Sequence, residues 1–178
     1  MPRWTIQDVH TAVEFSVRHM MITSVRGHFK NIGGTLDFDP EHPERAAAAV
    51  TFDAATLWSG QPERDDHLRS EDFLHVERYP TISFRSAKVE PAGRNEYRVT
   101  GDLTLRGVTQ PVTLDVRYLG QGRSPFADTR AGFTATARID RHDFGVNWNS
   151  EMPAGGVVVG DEVFITIDVE AILDEAPG

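Results

Sequence analysis

Tyr97-Arg98-Val99-Thr100-Gly101-Asp102-Leu103-Thr104-Leu105-Arg106 decides the fold of this chain. Tyr97, Val99, Gly101, Leu103 and Leu105 fall on one face, and Arg98, Thr100, Asp102, Thr104 and Arg106 on the other. A strand turns successive side chains to opposite sides, whereas a helix would scatter these residues around its axis. The stretch therefore predicts a long strand with one apolar and one wet face. The alternation recurs in both directions. Val13, Phe15 and Val17 alternate with Glu14, Ser16 and Arg18, and Leu36 and Phe38 with Asp37 and Asp39. Val50 and Phe52 oppose Thr51 and Asp53, and Ile82 and Phe84 oppose Ser83 and Arg85. Three more rows follow: Leu114-Val116-Tyr118, Phe133-Ala135-Ala137-Ile139 and Val163-Ile165-Ile167-Val169.

That makes about eight strands. Turn signals separate them at Gly33-Gly34, Pro91-Ala92-Gly93, Gly107, Gly120-Gln121-Gly122 and Gly155-Gly156. One apolar face per strand argues for antiparallel pairing with a single covered side. Such a sheet must stack on a partner or close on itself. Long strands in near-sequential order favour an all-β, antiparallel up-and-down barrel over a sandwich of short strands. Gly33-Gly34 and Gly101 stand where a curling sheet needs bends or bulges. Residues 61–76 break the alternation with dense charge and Pro62, and predict one or two short helices laid on the barrel through Leu68, Phe73, Leu74 and Val76. No linker or internal repeat divides the chain, so residues 1–178 read as a single domain.

Composition narrows the function. Hydrophobic residues are 39% and charged residues 25% of 178, ordinary for a globular chain. A net charge of −9 argues against wrapping nucleic acid or adhering to an anionic membrane, since both need clustered Lys and Arg. With no cysteine, disulfides, thiolate metal sites and a Cys nucleophile are excluded. The start, Met1-Pro2-Arg3-Trp4, carries no apolar run of signal-peptide type, and no stretch reaches bilayer-spanning length, which predicts a cytoplasmic protein if Met1 is the natural start.

Four stretches carry a family resemblance: Asp8 to His19 with Val25-Arg26-Gly27-His28-Phe29; Glu63 to Leu74 with Tyr79 to Phe84; Gly101 to Val112; and Ala131 to Gly145 with Val159 to Val163. In this order, and covering almost the whole chain, they resemble the YceI-like family of bacterial lipid-binding proteins. The resemblance implies a lipocalin-like barrel that encloses a long polyisoprenoid, such as a polyprenyl quinone or polyprenyl phosphate. It also implies a homodimer. It transfers no catalytic residue, no metal and no cofactor beyond the bound lipid.

Strand parity nominates the cavity lining: Val13, Phe15, Val17, Phe29, Phe52, Phe84, Leu103, Leu105, Leu114, Val116, Phe133 and Ile165. His19, Trp58 and Trp148 are candidates for the mouth or for headgroup contact. The same apolar faces also describe a barrel filled by its own side chains, so a stress-related interaction module with a filled core is one alternative. The other is a barrel isomerase or hydrolase acting on a lipid or quinone, with His19, His67 or His142 as acid–base. Asp65, Asp66, His67, Asp72 and His75 have metal-like composition, with Asp72 and His75 three apart as on a helix, but read better as a solvated, salt-bridged segment. Arg26, His28 and Lys30 share one strand face and could meet an anionic headgroup; pairing with Asp37 or Asp39 is the expectation. No nucleophile elbow, dinucleotide fingerprint or P-loop occurs.

Overall fold

The computed structural model describes residues 1–175. Its strands are β1 (Arg3–Ile6), β2 (Ala12–His19), β3 (Thr23–Phe29), β4 (Gly33–Asp37), β5 (Ala47–Asp53), β6 (Thr81–Gly93), β7 (Glu96–Leu105), β8 (Val108–Arg123), β9 (Thr129–Asp140) and β10 (Val159–Leu173). All pairings are antiparallel, in the order β1-β4-β5-β6-β7-β8-β9-β10, and β10 pairs back onto β1. Eight strands thus close a ring, while β2 and β3 extend from it as a hairpin.

The ring differs in membership from the eight alternating rows. β1 and β2 share one edge of β10: Trp4–Ile6 pairs with its end, Leu173 to Ala171, and Ala12–Val17 with Asp168 to Val163, nearer its start. A 3-10 turn at Asp8–His10 separates the two. It is therefore β1 that bonds β4 and seals the ring, and β2 that leads outward into the hairpin. β3 ends the sheet, and its far edge carries an isolated bridge between His28 and Trp58.

Glycines enable the curvature where backbones approach. Gly34 in β4 has φ of +145°, and a Cβ there would strike the Ala49 carbonyl on β5. At Gly101 on β7 a Cβ would lie 2.6 Å from Phe84 Cζ, beside the register shift between Ser86 and Lys88 on β6.

The segment after β5 forms α1 (Pro62–Arg69), as the loss of alternation predicts. Helix ends there, and residues 70–79 follow as turns, so Asp72 and His75 share no helix face. Buried Asp65 anchors α1: its carboxylate accepts from the Ser59 N–H at 3.0 Å and from the Ser59 hydroxyl. Arg69 donates to the carbonyls of Ala55 (2.9 Å) and Leu57.

Candidate functional site

The inward rows surround a chamber of about 440 Å³. All twelve residues nominated from parity line it. The barrel is therefore hollow, and the filled-core reading does not describe it. Its floor is aromatic: the Phe38 ring lies 4.9 Å from Tyr118, 5.1 Å from Phe133 and 6.1 Å from Tyr97. Trp4 locks this floor by donating from Nε1 to the Phe38 carbonyl at 3.0 Å. Burial, with Tyr97 nearby, pushes the Tyr118 phenol above its ordinary pKa, so it stays neutral. Halfway up, Phe29 bridges Phe15 (5.5 Å) and Phe52 (5.0 Å).

The upper end is covered by α1 and the segment after it, through Leu68, Phe73 and Leu74, and by Trp148, whose ring is 5.4 Å from Phe73. Polar groups gather here. Arg64, His67, Arg141 and His19 reach the chamber's lining. Arg141 is 4% exposed and has no carboxylate partner within 4.0 Å among the described residues; its guanidinium donates to the carbonyls of Gly160 (2.7 Å), Val146 (2.8 Å), Trp148 (2.8 Å) and Val159 (3.3 Å). One side chain thus ties the 146–160 loop to the barrel, and burial holds its pKa below the usual value. Arg64 donates to the Ser59 hydroxyl at 2.8 Å and carbonyl at 2.6 Å.

The mouth candidates part company. Trp148 lines the chamber under its cover and His19 lies at the rim, exposed. Trp58 does not line it: it lies outside, stacked 5.3 Å from His28. Among the acid–base candidates, His67 reaches the chamber and its Nε2 meets Asp72 at 2.8 Å. His142 faces away, held by Asn147 (2.9 Å) and Asp161 (2.8 Å). His75 stacks on Tyr79 instead of joining His67. Asp37 takes Arg3 at 2.8 Å, not Arg26 or Lys30, and this pairing lowers its pKa. Strand parity found the wall; it could not find Arg141, Arg64 or Asp65, whose charge marks them as surface residues in any pattern of alternation.

An antiparallel ring closed around an apolar chamber, floored by aromatics and covered by a short helix, is a lipocalin-like barrel. The chain belongs to the YceI-like family: the YceI-like domain model matches residues 4–171. A UPF0312 protein of Pseudomonas putida (strain W619) is 40% identical over 137 residues, 77% of this chain and 71% of that protein. A UPF0312 protein of Vibrio cholerae is 35% identical over 77% of this chain and 72% of its own length. Among solved structures, BcnA of Burkholderia cenocepacia superposes with a TM-score of 0.82 at 27% identity, covering 93% of this chain and 98% of that one. A polyisoprenoid binding domain from Saccharophagus degradans shares the fold at a TM-score of 0.69 and 12% identity, over 96% of this chain and 98% of that one. No helix among the described residues is long and apolar enough to cross a membrane.

Proposed function

We propose that this protein binds and carries, or sequesters, a long polyisoprenoid lipid, a polyprenyl quinone or polyprenyl phosphate, inside the barrel without transforming it. The observation that carries the reading is the chamber: its walls are aliphatic and aromatic, so a prenyl chain leaves water without stranding polar groups. Each buried methylene contributes about 0.8 kcal/mol, and a forty-carbon tail would nominally exceed the affinity ceiling of roughly 20 kcal/mol. Ordering the tail and extracting it from a membrane consume much of that. Affinity is therefore easy, and selectivity rests on the few polar groups at the upper end. The fold-level likeness to a domain described as polyisoprenoid binding supports the same reading.

Gentle purification followed by organic extraction and mass spectrometry tests it. One prenyl lipid per barrel is the expected result. An empty extract, together with failure to load a prenyl quinone or phosphate from detergent, would sink the reading. One observation favours a second reading. His67 with Asp72 is a histidine–carboxylate pair at the chamber wall, the arrangement an isomerase or hydrolase of the bound lipid would need. Chemical change of the lipid by the loaded protein, lost in His67→Gln, would establish it. The homodimer implied by the family belongs to the same proposal, and sedimentation velocity checks it.

A further inference from the structure

The β2–β3 hairpin presents to solvent a set of side chains that the core does not use, and of its cations only Arg18, at the rim, also reaches the chamber's lining. Its tip is Met20-Met21-Ile22, 42%, 64% and 75% exposed. Both methionines have left-handed backbone, φ 51° and 62°, a conformation that residues of their size rarely adopt. Met20 N–H is held by the Val158 carbonyl at 2.8 Å, and Met152 on the neighbouring loop comes close to the same glycine, Gly156, as Met21. Every methionine except Met1 is thus at this corner. Flexible, polarizable side chains of this kind adapt to irregular apolar surroundings.

The outer face of the hairpin is cationic. Arg18 opposes Ser24, Arg26 opposes Ser16 and His28 opposes Glu14, all on the side away from Val13, Phe15 and Val17. Arg18, Arg26 and nearby Lys30 are exposed, and none has a carboxylate within 4.0 Å among the described residues. Glu14 is the single acid of the hairpin; on the adjoining loop and strand, Asp161 meets His142, Glu162 faces Arg138 and Glu151 is exposed. Trp58, 55% exposed, stands at the free edge of β3, an amphipathic ring of the type that settles at a membrane–water interface. The chamber's lining runs to this corner through Val17, Val25, His19 and Val158.

We propose that the tip and outer face of the β2–β3 hairpin dock the protein on an anionic lipid bilayer, with Met20, Met21 and Ile22 entering the interface, Trp58 at its boundary and Arg18, Arg26 and Lys30 on lipid phosphates. Docked this way, the chamber's upper end abuts the membrane, and a prenyl chain moves between bilayer and barrel without crossing water. The net charge of −9 opposes adhesion by the rest of the surface, so the same electrostatics that repel the body turn the cationic hairpin towards the lipid. The inference rests on the lipid-carrying reading of the chamber, and the test separates the two.

Wild-type protein is mixed with phosphatidylcholine–phosphatidylglycerol vesicles containing a long-chain prenyl quinone. Co-sedimentation and the rate of quinone uptake are measured, alongside static loading from detergent micelles. Met21→Ser/Ile22→Ser and Arg26→Gln/Lys30→Gln are each expected to lower vesicle association and vesicle uptake roughly tenfold or more, with micellar loading and melting temperature unchanged. High salt should weaken association of the wild type strongly and that of the Arg26→Gln/Lys30→Gln variant much less. Wild type that fails to co-sediment, or variants that dock and take up quinone at the wild-type rate, would overturn the docking surface while leaving the chamber's role intact. Vesicle docking without loading from either source would do the reverse.

Discussion

Leu105 stands near the upper end of β7, 8% exposed, with its side chain at the chamber wall. A carboxylate at that position has to be desolvated or protonated, at a cost of several kcal/mol. Leu105→Asp is therefore expected to reduce prenyl-lipid loading by at least about a hundredfold, whereas Leu105→Met, which keeps volume and polarity, should load normally. Native mass spectrometry of detergent-loaded protein reads both. Arg141 makes the opposite point, that a buried charge can belong to the architecture. Four carbonyls converge on it, and removing the guanidinium takes that donor from all four, with the Val159 carbonyl keeping a second one, the Asn149 amide at 2.7 Å. Arg141→Leu should destabilise the fold by about 2–4 kcal/mol in urea denaturation. Arg141→Lys should recover little, since an ammonium cannot span the same fork of acceptors. Residues such as Leu105 are legible from sequence because apolar parity is a statement about burial. Arg141 and Asp65 are not, because they are buried by hydrogen bonds to Gly160, Val159 and Ser59, partners that only tertiary structure brings near.

At the scale of elements, the long strands carried their own signal, and β1 and β3 did not. β7, β9 and β10 alternate over ten or more residues, enough for the period to be unambiguous. β1 is four residues long, and its strand character comes from lying between β4 and β10. The mixed composition of β3, Thr-Ser-Val-Arg-Gly-His-Phe, has only Val25, Gly27 and Phe29 facing Val17, Phe15 and Val13. The same scale governs the 3-10 turn Arg141–Phe144 and the loop beyond it. The Asn147 side chain accepts from His142 Nδ1, Asp161 accepts from Nε2, and together they raise the pKa of the ring above its ordinary value near 6.5. A histidine protonated more readily in the folded state contributes stability fully present below its unfolded pKa, and loses it as pH rises through the elevated folded value. The melting-temperature advantage of wild type over His142→Gln should thus be largest below about pH 6 and shrink on the alkaline side of neutrality. Differential scanning calorimetry across that range checks it; a constant gap would show that the ring acts by packing alone.

For the whole molecule, a hollow barrel is a protein with part of its core missing, and the lipid proposed for the chamber would supply it. An occupant present at a hundred times its dissociation constant adds about 2.7 kcal/mol to the unfolding free energy. For a chain of this size that corresponds to a melting temperature roughly 5–10 °C higher. Protein stripped by organic solvent or detergent should melt lower by that margin and regain it on reloading with a prenyl lipid, and not with a sugar or peptide of equal mass. The seam of the ring has its own consequence. β1 and β10 meet across nearly the full length of the chain, and Thr5 on one donates to Asp174, just past the other, from 169 positions away. Until that final strand emerges from the ribosome there is no container, only an open curl of β-sheet with its greasy side bare. The lipid proposed for the chamber could therefore not be wrapped during synthesis; it would have to enter through a finished wall.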